Sequence, residues 1–176
     1  MNNMRLIDKY LPGYTFYEYH DIVINAPMET VYNAARNFDL SKSKFIKILF
    51  KLRGLPTTRL KLQEFITDIG FTNIEENFPT ENLIGFWARY KIAPIASPDD
   101  FVNNRLPARV KVVWNFYLTP LSPTQTKLST ETRVLCLTLM SKITFGLYWL
   151  IIKPFSSATR KKMLEIIKKD ASDPLL

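Results

Sequence analysis

Glu131 and Arg133 are the charged residues whose spacing best suits chemistry on a ligand. They lie two positions apart in a run with strand-like alternation, so both side chains project from one face of a strand. A carboxylate in a cleft can act as a general acid or base, and a guanidinium beside it can stabilise developing negative charge. The alternative is that the even-numbered residues of 128–134 form the inward set, which would put the pair on the solvated face. The sequence leaves both orientations open.

Large aromatic side chains form a second group of candidates, because ligand cavities are lined mostly by apolar and aromatic groups. The candidates for lining a cavity, together with Glu131 and Arg133, are Trp87, Trp114, Phe116, Tyr148 and Trp149. The competing interpretation is ordinary core, in which a buried tyrosine or tryptophan still needs a partner for its polar atom. Some of these side chains will line a cavity if the fold contains one.

Basic residues are concentrated in the stretch 40–63, which holds seven lysines and arginines and no acidic residue. Lys44, Lys47 and Lys51 lie opposite an apolar stripe, which predicts an amphipathic helix over 41–52. The stripe consists of Phe45, Ile48, Leu49 and Leu52. Either it packs on the protein and the lysines are solvated, or the helix contacts an anionic membrane or an acidic partner. No nucleic-acid-binding motif accompanies the charge, so we expect no specific nucleic-acid partner.

One histidine and one cysteine limit the remaining chemistry. A lone His20 and a lone Cys136 leave a zinc site short of ligands, exclude an internal disulfide framework and weaken any nucleophilic triad. The adjacent carboxylates Asp99 and Asp100 are too few for a calcium site. We therefore predict no metal and no cofactor, a structural role for His20 and an inert core thiol at Cys136.

Length and composition indicate a single domain over 1–176. The chain has 176 residues, of which 47% are hydrophobic and 23% are charged, with a net charge of +8. This is enough apolar surface for a core of its own. No apolar segment of a secretory signal is visible near the N-terminus, so we expect a cytoplasmic protein. The apolar window 134–152 divides into the end of a strand and the start of a helix, each too short to span a bilayer.

Hydrophobic periodicity predicts the order of the secondary-structure elements in the first half of the chain. An alternating run at 14–25 indicates an opening strand. Helices are predicted at 27–38, 41–52 and 58–69, and Gly70 is placed to end the last of them.

Four strand-like runs follow, and they suggest an antiparallel meander. They cover 71–77, 82–90, 109–118 and 127–139, and the connection 93–107 contains a short turn of helix capped by Ser97. The helix over 143–152 is apolar nearly all round, so we expect protein to enclose it on most sides. Pro154 should kink or break it before an amphipathic helix at 157–170. The order predicts an α+β fold in which a curved antiparallel sheet wraps around a long C-terminal helix.

Several short motifs occur in order along the chain. They are IDKYLP at 7–12, INAP at 24–27, LFKLRGLP at 49–56, TETRV at 130–134, YW at 148–149, PFS at 154–156 and Arg160. Together they resemble the START-like, or helix-grip, superfamily, which includes lipid-transfer domains and polyketide cyclases/dehydrases, and within it a bacterial branch. The resemblance implies a helix-grip fold with a cavity between sheet and helix, and no particular reaction. The helix at 58–69 and the connection 93–107 depart from the minimal plan of that superfamily.

From the residues and the resemblance, we expect the chain to bind, and by extension to transport, a hydrophobic small molecule or lipid between the sheet and the C-terminal helix. One alternative is an enzyme of the aromatase/cyclase or dehydratase type, with Glu131 as acid/base and Arg133 as electrostatic stabiliser. The other is a module that uses the basic helix 41–52, through Lys44, Lys47 and Lys51, on an anionic membrane or an acidic partner. The sequence identifies neither the ligand nor the oligomeric state.

Overall fold

The computed structural model describes residues 4–52, 54–58, 60–89, 91–93, 95–103 and 108–172. Its helices are α1 (Leu6–Tyr10), α2 (Met28–Asn37), α3 (Lys44–Leu52), α4 (Leu62–Asp68), α5 (Pro98–Asn103) and α6 (Leu139–Ser172). Its strands are β1 (Phe16–Ile24), β2 (Thr72–Asn77), β3 (Glu81–Ala88), β4 (Ile92–Ala93), β5 (Val110–Ser122) and β6 (Gln125–Cys136). The described residues do not include Arg53 and Arg59 of the basic stretch, or Tyr90. They also do not include residues 94 and 104–107 of the predicted connection.

The six strands form one antiparallel sheet with the order β1-β6-β5-β3-β2, and β4 pairs with β3 beyond this path. Side chains alternate between the two faces of a strand. The even-numbered residues of β5 and β6, such as Trp114 and Thr132, face α6, whereas Asn115 and Glu131 face away from it. The predicted α+β helix-grip arrangement is confirmed, and the alternation gives the sheet two faces with separate cores.

The helix α6 runs for 34 residues and passes through Pro154 without ending. Of the two predicted effects of Pro154, a kink or a break, the break is therefore absent. Thr138 caps its start, because the backbone N–H of Ser141 donates to Thr138 Oγ1 and the N–H of Thr138 donates to Ser141 Oγ, both at 3.1 Å. Its C-terminal half buries Met163, Leu164 and Ile167 against the sheet and α2. No helix within the described part of the chain is long and apolar enough to cross a membrane.

The N-terminal half of α6 is less covered than the sequence predicts. Leu147, Leu150 and Ile151 are exposed, although the segment is apolar nearly all round. The expectation that protein encloses 143–152 on most sides is therefore wrong, because the sheet covers only one side of this half of the helix.

The opposite face of the sheet has its own core, which α1 and α5 cover. Trp87 and Val113 pack there against Ile7 of α1 and Phe101 of α5. The backbone N–H of Asp100 donates to Ser97 Oγ at 3.2 Å, so the predicted capped turn is present. The helix α1 has no counterpart in the sequence prediction.

The helices α3 and α4 lie at one end of the space between the sheet and α6. The rings of Phe50 and Phe65 stack with centroids 4.8 Å apart, and Gly70 ends α4 with φ of 76°. Ile46, Leu49 and Phe50 are the buried residues of α3. Of the predicted stripe, Leu49 is buried whereas Phe45, Ile48 and Leu52 are exposed, so the stripe as a whole does not pack on the protein.

Candidate functional site

A cavity of about 470 Å³ lies between the concave face of the sheet and α6. This volume falls within the range of small-molecule sites. The sheet contributes Ile84, Gly85, Phe86, Ile92, Val112, Trp114, Thr132 and Val134 to its lining. The helix α6 contributes Phe145, Tyr148, Trp149, Ile152, Ser156, Thr159, Arg160 and Met163, and the segments around α3 and α4 contribute Phe50, Leu52, Leu55, Phe65, Ile69 and Phe71.

The wall formed by α6 follows from helical spacing. Phe145, Trp149, Ile152 and Ser156 recur every three or four residues and therefore share one face of the helix. Phe16 of β1 packs on the rings of Phe145 and Trp149, with centroid distances of 5.4 and 5.9 Å. These aromatic contacts hold α6 against the edge strand of the sheet and fix which side of the helix faces the cavity.

The mouth of the cavity lies between α3 and α6. Leu52 of α3, Tyr148 of α6 and Ile92 of β4 line the cavity and are also exposed to solvent. The other end is closed by core, because Met163 borders the cavity and the next inward-facing residue, Ile167, is fully buried. A ligand would therefore enter past α3 and reach toward Met163.

Polar groups are few and collect on one part of the lining. Ser156, Thr159 and Arg160 lie within about one turn of α6, and Thr132 belongs to the facing sheet. The guanidinium of Arg160 lies over the Trp114 ring, 3.8 Å from its centroid. The indole N–H of Trp114 donates to Thr130 Oγ1 at 2.8 Å, which fixes the ring. This arrangement places a cation and three hydroxyl groups beside an otherwise apolar cavity. The hydroxyl of Thr159 donates to the Phe155 carbonyl at 2.8 Å.

A second polar cluster joins β1 to α6 next to the cavity. Ser156 Oγ donates to Glu18 Oε2 at 2.9 Å, and His20 Nε2 lies 3.0 Å from Glu18 Oε1 and 3.2 Å from Ser157 Oγ. Glu18 and Ser157 approach the same ring nitrogen, whereas a nucleophilic triad uses the two nitrogens separately. We interpret the cluster as one that positions Ser156 on the cavity wall.

Glu131 and Arg133 lie on the face of the sheet that points away from the cavity. Arg133 Nε donates to Glu131 Oε1 at 2.6 Å, and Arg133 Nη2 donates to Asp8 Oδ1 at 2.6 Å. Arg5 Nη1 donates to Glu131 Oε2 at 2.9 Å. The orientation toward the cleft is therefore wrong, and the alternative, with the even-numbered residues inward, is correct. The solvated surroundings expected with that alternative are wrong, because the N-terminal segment buries Glu131 and Arg133.

The surrounding contacts show what this network does. The carboxylate of Glu81 accepts hydrogen bonds from the backbone N–H groups of Leu6 and Ile7, at 2.6 and 3.2 Å, and from the Asn115 amide at 2.6 Å. Burial raises the pKa of Glu81. Burial would also raise the pKa of Asp8, but hydrogen bonds from Arg5 and Arg133 outweigh it and hold that pKa below its usual value. The network attaches α1 to the convex face of the sheet.

The structure separates the aromatic candidates. Trp114, Tyr148 and Trp149 line the cavity, but Trp87 and Phe116 do not belong to its lining. Trp87 lies in the core of the other face and stacks on Phe101, with centroids 6.2 Å apart. Phe116 shares the concave face with Trp114 but lies deeper, edge-on to Phe38 at 5.8 Å. The prediction that these two residues line the cavity is therefore wrong. Trp87 points to the opposite face of the sheet, and Phe116 lies beyond the end of the cavity.

The remaining predicted residues lie apart from the cavity. Lys44, Lys47 and Lys51 are exposed on α3, and Cys136 is half-buried at the end of β6, where burial raises the pKa of its thiol. The described residues contain no group of three or more His, Cys, Asp or Glu side chains that could hold a metal ion.

Sequence reasoning missed the polar part of the cavity wall. Ser156, Thr159 and Arg160 could have been found by extending the helical spacing of Trp149 and Ile152 past Pro154.

No protein-family profile matches the chain, and no curated protein sequence matches it. Among solved structures, it is similar to TTHA0849 of Thermus thermophilus, with 10% identity over 91% of this chain and 99% of that one and a TM-score of 0.40. A Streptomyces aromatase/cyclase, Zhui, matches with 10% identity over 92% and 96% and a TM-score of 0.39. Norcoclaurine synthase of Thalictrum matches with 10% identity over 85% and 94% and a TM-score of 0.38. Similarities this weak say nothing about what this chain binds or catalyses.

Proposed function

We propose that this chain binds an amphipathic small molecule or lipid in the cavity between the sheet and α6, with the apolar part of the ligand along the aromatic lining and an acidic end near Arg160. The observation that carries the proposal is the lining itself. Its apolar side chains come from the sheet, α3, α4 and α6, whereas its only formally charged side chain within the described residues is Arg160. Such a site favours a ligand with one anionic end.

Binding fits the lining better than acid/base catalysis does. No aspartate, glutamate or histidine lines the cavity within the described ranges. The nearest such groups are Glu18 and His20, which contact Ser156 and Ser157 rather than the cavity. General acid/base catalysis needs a group within hydrogen-bond reach of the reacting atom. Glu131 and Arg133 cannot act on a ligand in this cavity, because they lie on the opposite face of the sheet.

The size of the site sets the affinity to expect. A ligand of about 20 non-hydrogen atoms, at roughly −0.3 kcal/mol per atom, would bind with a Kd on the order of tens of micromolar. An ion pair with Arg160 adds to this only for the ionised form of an acidic ligand.

The direct experiment is native mass spectrometry of the purified protein, followed by calorimetric titration with a long-chain carboxylate and with the alcohol of the same chain length. We expect the carboxylate to bind more tightly. The variant Arg160→Met should weaken carboxylate binding by about tenfold to a hundredfold, the loss of a hydrogen bond to a charged group, and leave alcohol binding nearly unchanged. Lys161→Met, at the next and solvent-exposed position, is the matched control.

A second variant tests the location of the site. Val134 lines the cavity and is buried, so Val134→Phe should fill part of the cavity and weaken both ligands. Val23→Phe adds the same volume at an exposed position of β1 and should leave both affinities unchanged. Equal binding by Val134→Phe and the wild type would place the ligand elsewhere and refute the proposal.

A further inference from the structure

An extended apolar surface lies next to the mouth of the cavity. On α6, the exposed fractions are 64% for Leu147, 76% for Leu150 and 71% for Ile151, and on α3 they are 59% for Ile48 and 71% for Leu52. Leu139, Met140, Ile143 and Phe45 are also exposed. Soluble monomers rarely expose large contiguous apolar patches, and those that exist mark interaction sites.

Helical spacing places these side chains on one face of each helix. Ile143, Leu147 and Ile151 are four residues apart, and Phe45, Ile48 and Leu52 are three and four apart. Leu52 and Tyr148, one from each helix, both line the mouth of the cavity. Each helix therefore has an exposed apolar face and one exposed residue that also lines the cavity. We call the exposed apolar residues of α3 and of 139–151 together the mouth surface.

The charge around the mouth surface has one sign. Lys44, Lys47 and Lys51 are exposed on α3, and Lys142 and Lys153 are exposed on α6. The sequence contains no acidic residue in 40–63 or in 132–164. Apolar side chains flanked by lysines are the features of helices that lie in the interface of a membrane, and anionic lipids attract such basic segments.

We propose that the mouth surface docks on an anionic lipid bilayer, with the apolar side chains of α3 and of 139–151 in the interfacial region and the lysines against the headgroups. Tyr148 lines the cavity and is also exposed, and tyrosine is a residue enriched at membrane–water interfaces. The inference concerns the outer surface and stands whether or not the cavity holds a ligand.

Charge favours a bilayer over a second copy of the chain as the occupant. A symmetric dimer uses the same patch on both subunits. Joining two mouth surfaces would bring two sets of lysines together without acidic residues to offset them, and like charges that face each other oppose association. An anionic bilayer instead supplies both an apolar layer and the opposite charge.

The test is co-sedimentation with vesicles of phosphatidylcholine alone and of phosphatidylcholine mixed with phosphatidylglycerol. We expect binding to the mixed vesicles only, weakened by salt. The double variant Leu147→Ser/Ile151→Ser, neither residue of which lines the cavity, should lower the partition coefficient at least tenfold. Val102→Ser/Leu121→Ser is the matched control, because both side chains are 50% exposed and lie on α5 and β5, away from the mouth.

A second pair of variants tests the charge. Lys47→Gln/Lys51→Gln should weaken binding to the mixed vesicles by several-fold more than Lys168→Gln/Lys169→Gln, which removes the same charge from the far end of α6. All four double variants replace exposed side chains, so thermal melting should show wild-type stability.

Three results would overturn the inference: no binding to mixed vesicles, equal losses in the mouth variants and their controls, or self-association that disappears in Leu147→Ser/Ile151→Ser. Sedimentation velocity without vesicles detects the last of these. Titration of the same variants with the long-chain carboxylate distinguishes a failure of membrane docking from a failure of the proposed ligand binding. Loss of vesicle binding with normal carboxylate affinity supports docking, and vesicle binding by a protein that takes up no carboxylate leaves docking intact while refuting the cavity proposal.

Discussion

Replacing Arg133 tests whether the buried ion pairs serve stability rather than a ligand. In the structure, its guanidinium donates to Glu131 Oε1 at 2.6 Å, to Asp8 Oδ1 at 2.6 Å and to the Leu11 carbonyl at 2.9 Å. Arg133→Met keeps much of the volume but removes these hydrogen bonds. Breaking a buried pair on one side costs about 3–5 kcal/mol. We expect the lower end, because Arg5 still contacts Glu131.

The measurement is urea and thermal unfolding of the wild type and the variant. For a chain of this length, a loss of about 3 kcal/mol corresponds to a Tm lower by roughly 6–12 °C. Lys162→Met is the control, because Lys162 pairs with Glu165 at 2.8 Å on the exposed side of α6. Removing that exposed pair should cost less than about 1 kcal/mol.

Two further observations decide the interpretation. The double variant Glu131→Gln/Arg133→Met removes both charges and should recover part of the lost stability, because it also removes the buried carboxylate that the single variant leaves with one of its two arginine partners. Carboxylate binding by the folded Arg133→Met protein should equal that of the wild type, since Arg133 lies on the other face of the sheet. A variant with wild-type stability and no ligand binding would refute this reasoning.

Three smaller predictions concern separate parts of the fold. Asp8 has a lowered pKa in the folded chain, so its contribution to stability is present above pH about 4 and is lost as the pH falls through that lowered pKa. Asp8→Asn should therefore have a lower free energy of unfolding than the wild type near neutral pH, and the difference between the two proteins should shrink in acid. A Cβ on Gly85 would lie 2.5 Å from Ile74 Cδ1 and 2.9 Å from the Val112 carbonyl oxygen, so Gly85→Ala should cost about 1–3 kcal/mol in urea unfolding, whereas Gly13→Ala, with open space around it, should change little. Thr138→Val removes the N-cap of α6 and should cost about 1 kcal/mol by the same measurement, and an unchanged midpoint would show that the cap contributes nothing.

Local periodicity predicted much of the fold. Alternation located β1 and the long strands, and helical spacing located α2, with Val31, Ala35 and Phe38 buried. Gly70 ends α4 as its type suggests, although that helix starts at Leu62 rather than near 58. These features depend on neighbours within a few residues, which the sequence displays directly.

The candidate site was less accessible to prediction. The alternation of β6 established that Glu131 and Arg133 share a face of the strand. It could not show which face of the sheet this is, because both faces are buried and burial no longer distinguishes them. The choice depends on α1, a helix of only five residues. Glu81 binds its first backbone N–H groups from 75 positions away in the sequence, a contact that no local pattern reveals.

The sequence by itself determined three things: enough hydrophobic residues for a core, a basic stretch without acidic residues, and an order of elements in which an antiparallel sheet can wrap around a long C-terminal helix. Only the tertiary structure decided which face of the sheet α6 covers, and hence that Arg160 rather than Arg133 borders the cavity. It also decided that Leu147, Leu150 and Ile151 remain exposed. The reason is physical: side-chain type and spacing fix which residues share a face, but burial depends on whether another element, distant in the chain, packs against that face.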